Sequence, residues 1–258
     1  MRNRVVGILL LGLACVSMPF RASASALPDL SGLWVLVEVM PALIDLPLIG
    51  RIELATVVGL LVDIEQQGRG LLLRRTYCFQ DVRATPPLVT TIIPDRFIAA
   101  LPPDSVTAWL EETAGGWRFV QDACVEIRGA RLADPEREAL PTHALDPRVF
   151  DQDRDGQPGL TIRVLVAGLL GGDLYIVNRT CARLDGWVLE DSSVAGAVIW
   201  SSEQNVIGAC DPLLRSSFEY VLHPDSSRHF FLLRRIDEPD PCRVIRDSLE
   251  RLLGSAPG

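Results

Sequence analysis

Asp151, Asp153 and Asp155 stand on alternate positions of the run Asp151-Gln152-Asp153-Arg154-Asp155-Gly156-Gln157-Pro158-Gly159. Alternate side chains of an extended turn point the same way, so the three carboxylates converge. Gly156 permits the sharp bend that brings the Gln157 carbonyl beside them. Oxygen donors in this order are what the hard cation Ca²⁺ takes from a short loop. The expected cofactor is therefore a structural Ca²⁺ held by Asp151, Asp153, Asp155 and Gln157, with Asp146 and Asp173 as nearby further ligands. A solvated acidic turn is the alternative, and a bound ion would not by itself be an activity.

Arginine supplies the second chemistry. All 25 basic residues are arginine, which rules out Schiff-base and phosphate-loop lysines. Arg74, Arg75, Arg163, Arg179, Arg183, Arg234 and Arg235 fall inside apolar runs. Neighbours in a strand point to opposite faces, so some of them face inward if one face is core. An inward guanidinium beneath an apolar cavity suits a carboxylate or phosphate head group, and Arg179 and Arg234 are the candidates. The opposing reading is that these arginines lie outside and pair across strands.

Nucleophile-elbow, zinc-protease and glycine-rich phosphate motifs are missing. His143, His223 and His229 offer no i, i+4 metal pair. Acid/base carboxylate pairs are not identifiable among 33 acids. Whether the chain is an enzyme stays open, with the balance against it.

The N-terminus points to export. Arg2 and Arg4 form a basic start, Val5 to Leu13 an apolar run, and Ala24-Ser25-Ala26 a small-x-small cleavage site, so residues 1–26 read as a signal peptide. The alternative is a lipoprotein anchored at Cys15. The apolar run is too short to span a bilayer, and no transmembrane segment is expected after signal removal. Cleavage takes 25 basic and 33 acidic residues to 22 and 33, a charge of −11 that argues against nucleic acid as a partner. Cys78, Cys124, Cys181, Cys210 and Cys242 remain, an odd number where disulfides persist. Sequence does not choose the pairing. Bridges between neighbours, Cys78 with Cys124 and Cys181 with Cys210, are the preferred scheme and leave Cys242 free.

Short β-branched and aliphatic runs dominate the rest: 33–39, 52–64, 71–79, 106–110, 117–121, 124–128, 160–166, 174–184, 194–200, 206–210 and 230–236. Gly68-Arg69-Gly70, Gly115-Gly116, Gly171-Gly172 and Asp185-Gly186 sit between runs as hairpin turns do. An all-β antiparallel meander follows, either barrel-like or a sandwich. Asp240-Pro241 and the apolar stripe after it predict a short C-terminal helix. Residues 134–159, rich in Pro and Asp, form a crossover between an N-terminal β half, 27–133, and a C-terminal half, 160–258, within what reads as one continuous β domain.

The Asp151 loop resembles the EF-hand calcium loop over its first seven positions, then departs from it. Ile162 stands where that loop has a bidentate glutamate, and strand residues follow in place of a helix. It is closer to isolated Asp-x-Asp-x-Asp-Gly loops of exported proteins. Gly32-Leu33-Trp34, with Arg234 and Arg235 late in the chain, resembles the lipocalin arrangement in which a late arginine covers a Gly-x-Trp tryptophan. That resemblance implies a closed antiparallel barrel. The functional expectation is an exported, calcium-stabilised β protein, periplasmic or extracellular, binding a small apolar or amphipathic ligand such as a lipid. An envelope structural or interaction protein is the alternative, and a secreted hydrolase the next.

Overall fold

The computed structural model describes residues 26–46, 50–168, 170–214, 221–237, 242, 243 and 246. The signal peptide, Ala26 apart, lies outside them. So does the expected C-terminal helix, except that Cys242, Arg243 and Arg246 are helical.

Eleven antiparallel strands form a single sheet: β1 (Gly32–Leu46), β2 (Gly50–Gln67), β3 (Gly70–Thr85), β4 (Val89–Ile92), β5 (Asp104–Thr113), β6 (Gly116–Arg128), β7 (Leu160–Val166), β8 (Leu170–Val188), β9 (Val194–Ala209), β10 (Val221–Leu222) and β11 (Phe230–Arg235). A short helix α1 (Asp95–Ala99) joins β4 to β5. Pairings run β1–β2–β3–β5–β6–β8–β9–β11 and back to β1, so the sheet closes into a barrel. Closure removes the sheet edges around the lower part of this ring.

The long strands change partners along their length, which gives the barrel two storeys. Gly70–Arg75 of β3 pair with β5, whereas Val82 pairs with β4. In β8, residues 178–187 pair with β6 and 170–176 with β7, and β4 pairs with β7. Between β3 and β8 the wall is thus completed by β5 and β6 in the lower storey and by β4 and β7 in the upper one, whereas β9 beyond Val198 and β10 make no strand pairing with each other among the described residues.

Alternation decides what fills each storey. The lower lumen is packed solid: Trp34, Leu36, Leu60, Ile64, Leu73, Leu110, Phe119, Leu184, Phe231 and Leu233 belong to one cluster and are at most 2% exposed. Each such side chain contributes about 1.5–3 kcal/mol by leaving water. Bulges at Gly59/Leu60 opposite Cys78 and between Gln121 and Cys124 flip the inward phase of β3 and β6 from odd to even residues. The inward set therefore passes from Leu71, Leu73, Arg75 and Tyr77 to Gln80 and Val82 in β3, and from Phe119 and Gln121 to Cys124, Glu126 and Arg128 in β6.

Two outer patches are also covered. Val35, Val37, Val39, Val57, Cys78 and Phe79 pack with Ile236 and Cys242. The crossover lays Leu140 and Val149 on Val177 and Ile207 of β8 and β9. A Cys78–Cys242 disulfide pins the C-terminal segment to β3. This corrects the expected scheme. Cys78 faces outward, Cys124 faces the lumen beside Arg75, and Cys124, Cys181 and Cys210 are free.

Asp185-Gly186 and Gly171-Gly172 are not turns but lie inside β8, near its two ends. A Cβ at Gly186 would stand 2.4 Å from the Ala195 oxygen and 2.8 Å from the Phe231 ring, so close strand and ring packing requires the glycine there.

Candidate functional site

Above the packed lower core the lumen opens into a cavity of about 140 Å³. Ala42, Ile44, Leu54, Val82, Val89, Phe97, Ile162, Val164, Leu174, Ile176 and Leu214 form its apolar wall, while Thr56, Gln80, Arg128, Asn178, Thr180, Ser202 and Gln204 supply its polar part. A cavity near 150 Å³ accepts a benzene-sized molecule. This one therefore holds a small ligand, or the buried end of a longer one. Ile93, Val164 and Val166 of the upper storey are partly exposed, as are Thr56, Gln80, Thr180, Ser202 and Gln204 of the polar part.

A belt of charged side chains separates cavity from core. Arg75, 2% exposed, donates from Nε to Asp104 at 2.8 Å and from Nη2 to the second oxygen of the same carboxylate. Nη2 also reaches Glu126 at 3.3 Å. Arg128 donates to Gln80 at 2.9 Å, to the Tyr77 hydroxyl at 3.1 Å and to Glu126 at 2.8 Å, and its guanidinium lies 5.2 Å from the Tyr77 ring centroid. The Tyr77 hydroxyl in turn donates to Glu126. Burial alone would raise the Glu126 carboxyl, but Arg128, Tyr77 and Arg75 outweigh it and hold it below its ordinary value. Glu38 is left without such a partner. Burial pushes its carboxyl up to about 7 against the pull of Arg75, and its Oε1 has no hydrogen-bond partner. Arg128 Nε and both side-chain polar atoms of Gln121 are likewise unpartnered. Polar atoms buried without partners are the usual signature of ordered water or a ligand.

No family model, curated protein or solved structure matches this chain. Its site is legible only through its own chemistry.

The two arginines assigned from sequence do not reach the cavity. Arg179 lies on the outer face between inward Asn178 and Thr180. It donates to the Pro135 and Glu138 carbonyls at 3.0 and 2.9 Å and to Glu203 at 2.5 Å, tying the crossover to β8. Arg234 pairs with outward Val35 and alternates with inward Leu233, so it too is outside. Among the described residues, the arginines of the belt beneath the cavity are Arg75 and Arg128. The missed signal was parity: Arg75 shares its phase with Leu71 and Leu73, and Arg128 with Glu126 and Cys124.

The aspartate loop lies against the upper storey. Oxygens of Asp151, Asp153 and Asp155 come within 4.8 Å of one another. Asp151 accepts from the backbone N–H of Asp155 and of Gly156, and Asp155 accepts from that of Gln157 at 2.9 Å. Gly156 takes φ +85°, the left-handed bend the loop needs. The Asp153 side chain is fully buried. Its Oδ2 accepts from Arg96 Nε and Thr161 N at 3.3 Å each, while its Oδ1 has no partner. Burial raises its carboxyl, with the Asp155 charge adding to that and the Thr161 amide and Arg96 opposing it. A buried carboxylate oxygen without a donor, between two more carboxylates, is a donor set that fits a hard cation. Asp146 and Asp173 are not part of it. They pair with Arg148 and Arg163, each at 2.7 Å. Arg96, whose Nη2 also holds Asp155 at 2.9 Å, precedes Phe97 of the cavity wall, so loop and cavity share α1.

Proposed function

We propose that this is an exported, non-enzymatic protein that binds a small apolar or amphipathic ligand inside its barrel. The observation that carries the reading is the cavity: apolar walls and a polar floor that includes the unpartnered Arg128 Nε donor. A wholly filled lumen would have favoured a purely structural envelope protein. The contact of Arg235 with Trp34 supports the lipocalin-like reading of the closed end. The basic start, apolar run and small-residue cleavage site of residues 1–26 support export. The orphan Asp153 oxygen supports Ca²⁺ at the aspartate loop, where Asp151, Asp153 and Asp155 would hold it and the ion would fix the crossover against α1.

Titration with the uncharged fluorophore N-phenyl-1-naphthylamine tests the reading. Wild type should give saturable, single-site enhancement. Ala42→Phe, which fills the cavity from a wall position remote from the charged belt, should abolish it while circular dichroism stays that of the wild type. Linear, non-saturable fluorescence from wild type would remove the binding function.

A further inference from the structure

We infer that the lumen selects amphiphiles with an uncharged, hydrogen-bonding head, such as an alcohol or primary amide, over carboxylates and amines. The inference rests on the ligand-binding reading of the cavity and concerns which ligand class that cavity takes.

The argument is a charge count made where the head group would lie. Among the described residues, the ionisable side chains of the belt are Arg75, Arg128, Asp104, Glu126, Glu38 and Tyr77, and burial keeps the Tyr77 hydroxyl protonated and neutral. The two guanidiniums are matched by two carboxylates, Asp104 and Glu126, at hydrogen-bond distance. Glu38 adds either nothing or one negative charge, so the belt is neutral or −1 and offers no spare cation. An anionic head would lie uncompensated among apolar walls and charge-matched pairs, or would have to break the Arg128–Glu126 pair, and both are costly. An ammonium head fares no better. The charged group that reaches the cavity is Arg128, whereas Glu38 lies behind it and does not line the wall.

What the floor does offer is neutral. Arg128 lines the cavity with its Nε donor unpartnered, and Thr180 and Ser202 line it too; Thr180 donates to Asn178 Oδ1 and Ser202 accepts from Asn178 Nδ2, which leaves acceptor capacity on both hydroxyl oxygens. A hydroxyl or amide head, accepting from a donor of this floor and donating to a hydroxyl oxygen, satisfies such groups without adding charge. The apolar wall then takes the tail.

Displacement of bound N-phenyl-1-naphthylamine at pH 8 by octan-1-ol, octanoate, octylammonium and 1-methoxyheptane tests the inference, because the four share their length and differ in head group. The alcohol should displace the fluorophore at concentrations at least about tenfold lower than any of the others. Equal or tighter binding of octanoate or octylammonium would overturn the inference and leave the cavity reading standing. Equal binding of the ether would show that only the tail is recognised, and would overturn it too. Failure of the fluorophore itself to bind would sink the cavity reading, and this inference with it. A variant isolates the cause. Glu126→Gln leaves Arg128 unmatched, so the octanoate-to-octanol preference should rise at least about tenfold. If that variant does not fold, Asp104→Asn removes the other matching carboxylate from a partly exposed position and should move the preference the same way. An unchanged preference in the folded variant would overturn the charge-matching argument.

Discussion

The guanidinium of Arg235 lies 4.6 Å from the centroid of the Trp34 ring, at the end of the barrel where the core is packed solid. The same guanidinium donates to the Ser31 and Asp29 carbonyls at 2.5 and 3.0 Å, and Trp34 Nε1 donates to the Leu30 carbonyl at 2.7 Å, so the entry strand is tied to both residues. A Cβ at Gly32 would stand 2.9 Å from Arg235 Nη1, and φ there is +109°. Glycine at that point is therefore a condition for the stacking. Arg235→Ala should lower stability by about 1–3 kcal/mol, from one cation–π contact and two charge-assisted hydrogen bonds. Gly32→Ala should do the same through backbone strain. Urea unfolding of both variants measures this, and midpoints equal to wild type would show that the contact contributes nothing.

Glu38 makes a prediction about pH. Its carboxyl is raised from 4.5 to about 7 in the folded protein, so between those values the folded state binds more protons than the unfolded state. Stability should therefore fall as pH rises from about 4.5 to about 7 and level off above that, by an amount on the order of 3 kcal/mol if this group acted alone. Arg75 and Arg128 oppose the shift, while Glu126 and Asp104 reinforce it, so the group reports on the whole belt. Glu38→Gln should be more stable than wild type at pH 8 and about equal to it near pH 4.5. Parallel stability–pH curves for the two proteins would contradict the raised carboxyl.

Regular alternation made the fold legible, and the polar lumen hid part of it. The runs 117–121 and 124–128 are one strand, β6, interrupted in sequence by the bulge at Asp122 and Ala123. The runs 194–200 and 206–210 are likewise joined in β9, because Ser202 and Gln204 face the polar floor and so lack the apolar signal of a buried strand. β4 and α1, which help close the upper storey, were missed. β4 is four residues long with only Val89 buried, too little for a periodic signal. The aspartate cluster was legible because its residues stand on alternate positions of one short stretch. The charged belt was not, since Glu38, Arg75, Asp104, Glu126 and Arg128 come from four strands and meet only through register.

The cysteines give a prediction by count. With Cys78 bound to Cys242 and Cys124, Cys181 and Cys210 free, alkylation under denaturing, non-reducing conditions should label three thiols once Cys15 has left with the signal. A count of one would restore two bridges. The single bridge spans a sequence separation of 164, so chain-entropy reasoning assigns it about 5 kcal/mol. Cys78→Ser should show a large drop in urea midpoint, and wild type under reductant should show the same drop.

Calcium should stabilise the protein through one oxygen in particular. Asp153 Oδ1 is buried and unpartnered, so without a cation its carboxylate carries a desolvation cost that Arg96 and the Thr161 amide offset only through Oδ2. Ca²⁺ at a hundred times its dissociation constant should raise wild-type stability by about 2.7 kcal/mol. Asp153→Asn keeps the shape and removes the charge. It should change stability little in the presence of chelator and erase most of the calcium-dependent gain. Arg96→Met should act in the opposite sense on affinity, because Arg96 occupies oxygens of both Asp153 and Asp155 that the ion would use. Thermal unfolding with and without millimolar Ca²⁺, alongside isothermal titration, reads both effects. If wild type gives neither a shift nor heat, the three aspartates form only an acidic turn held by its own backbone hydrogen bonds and by Arg96.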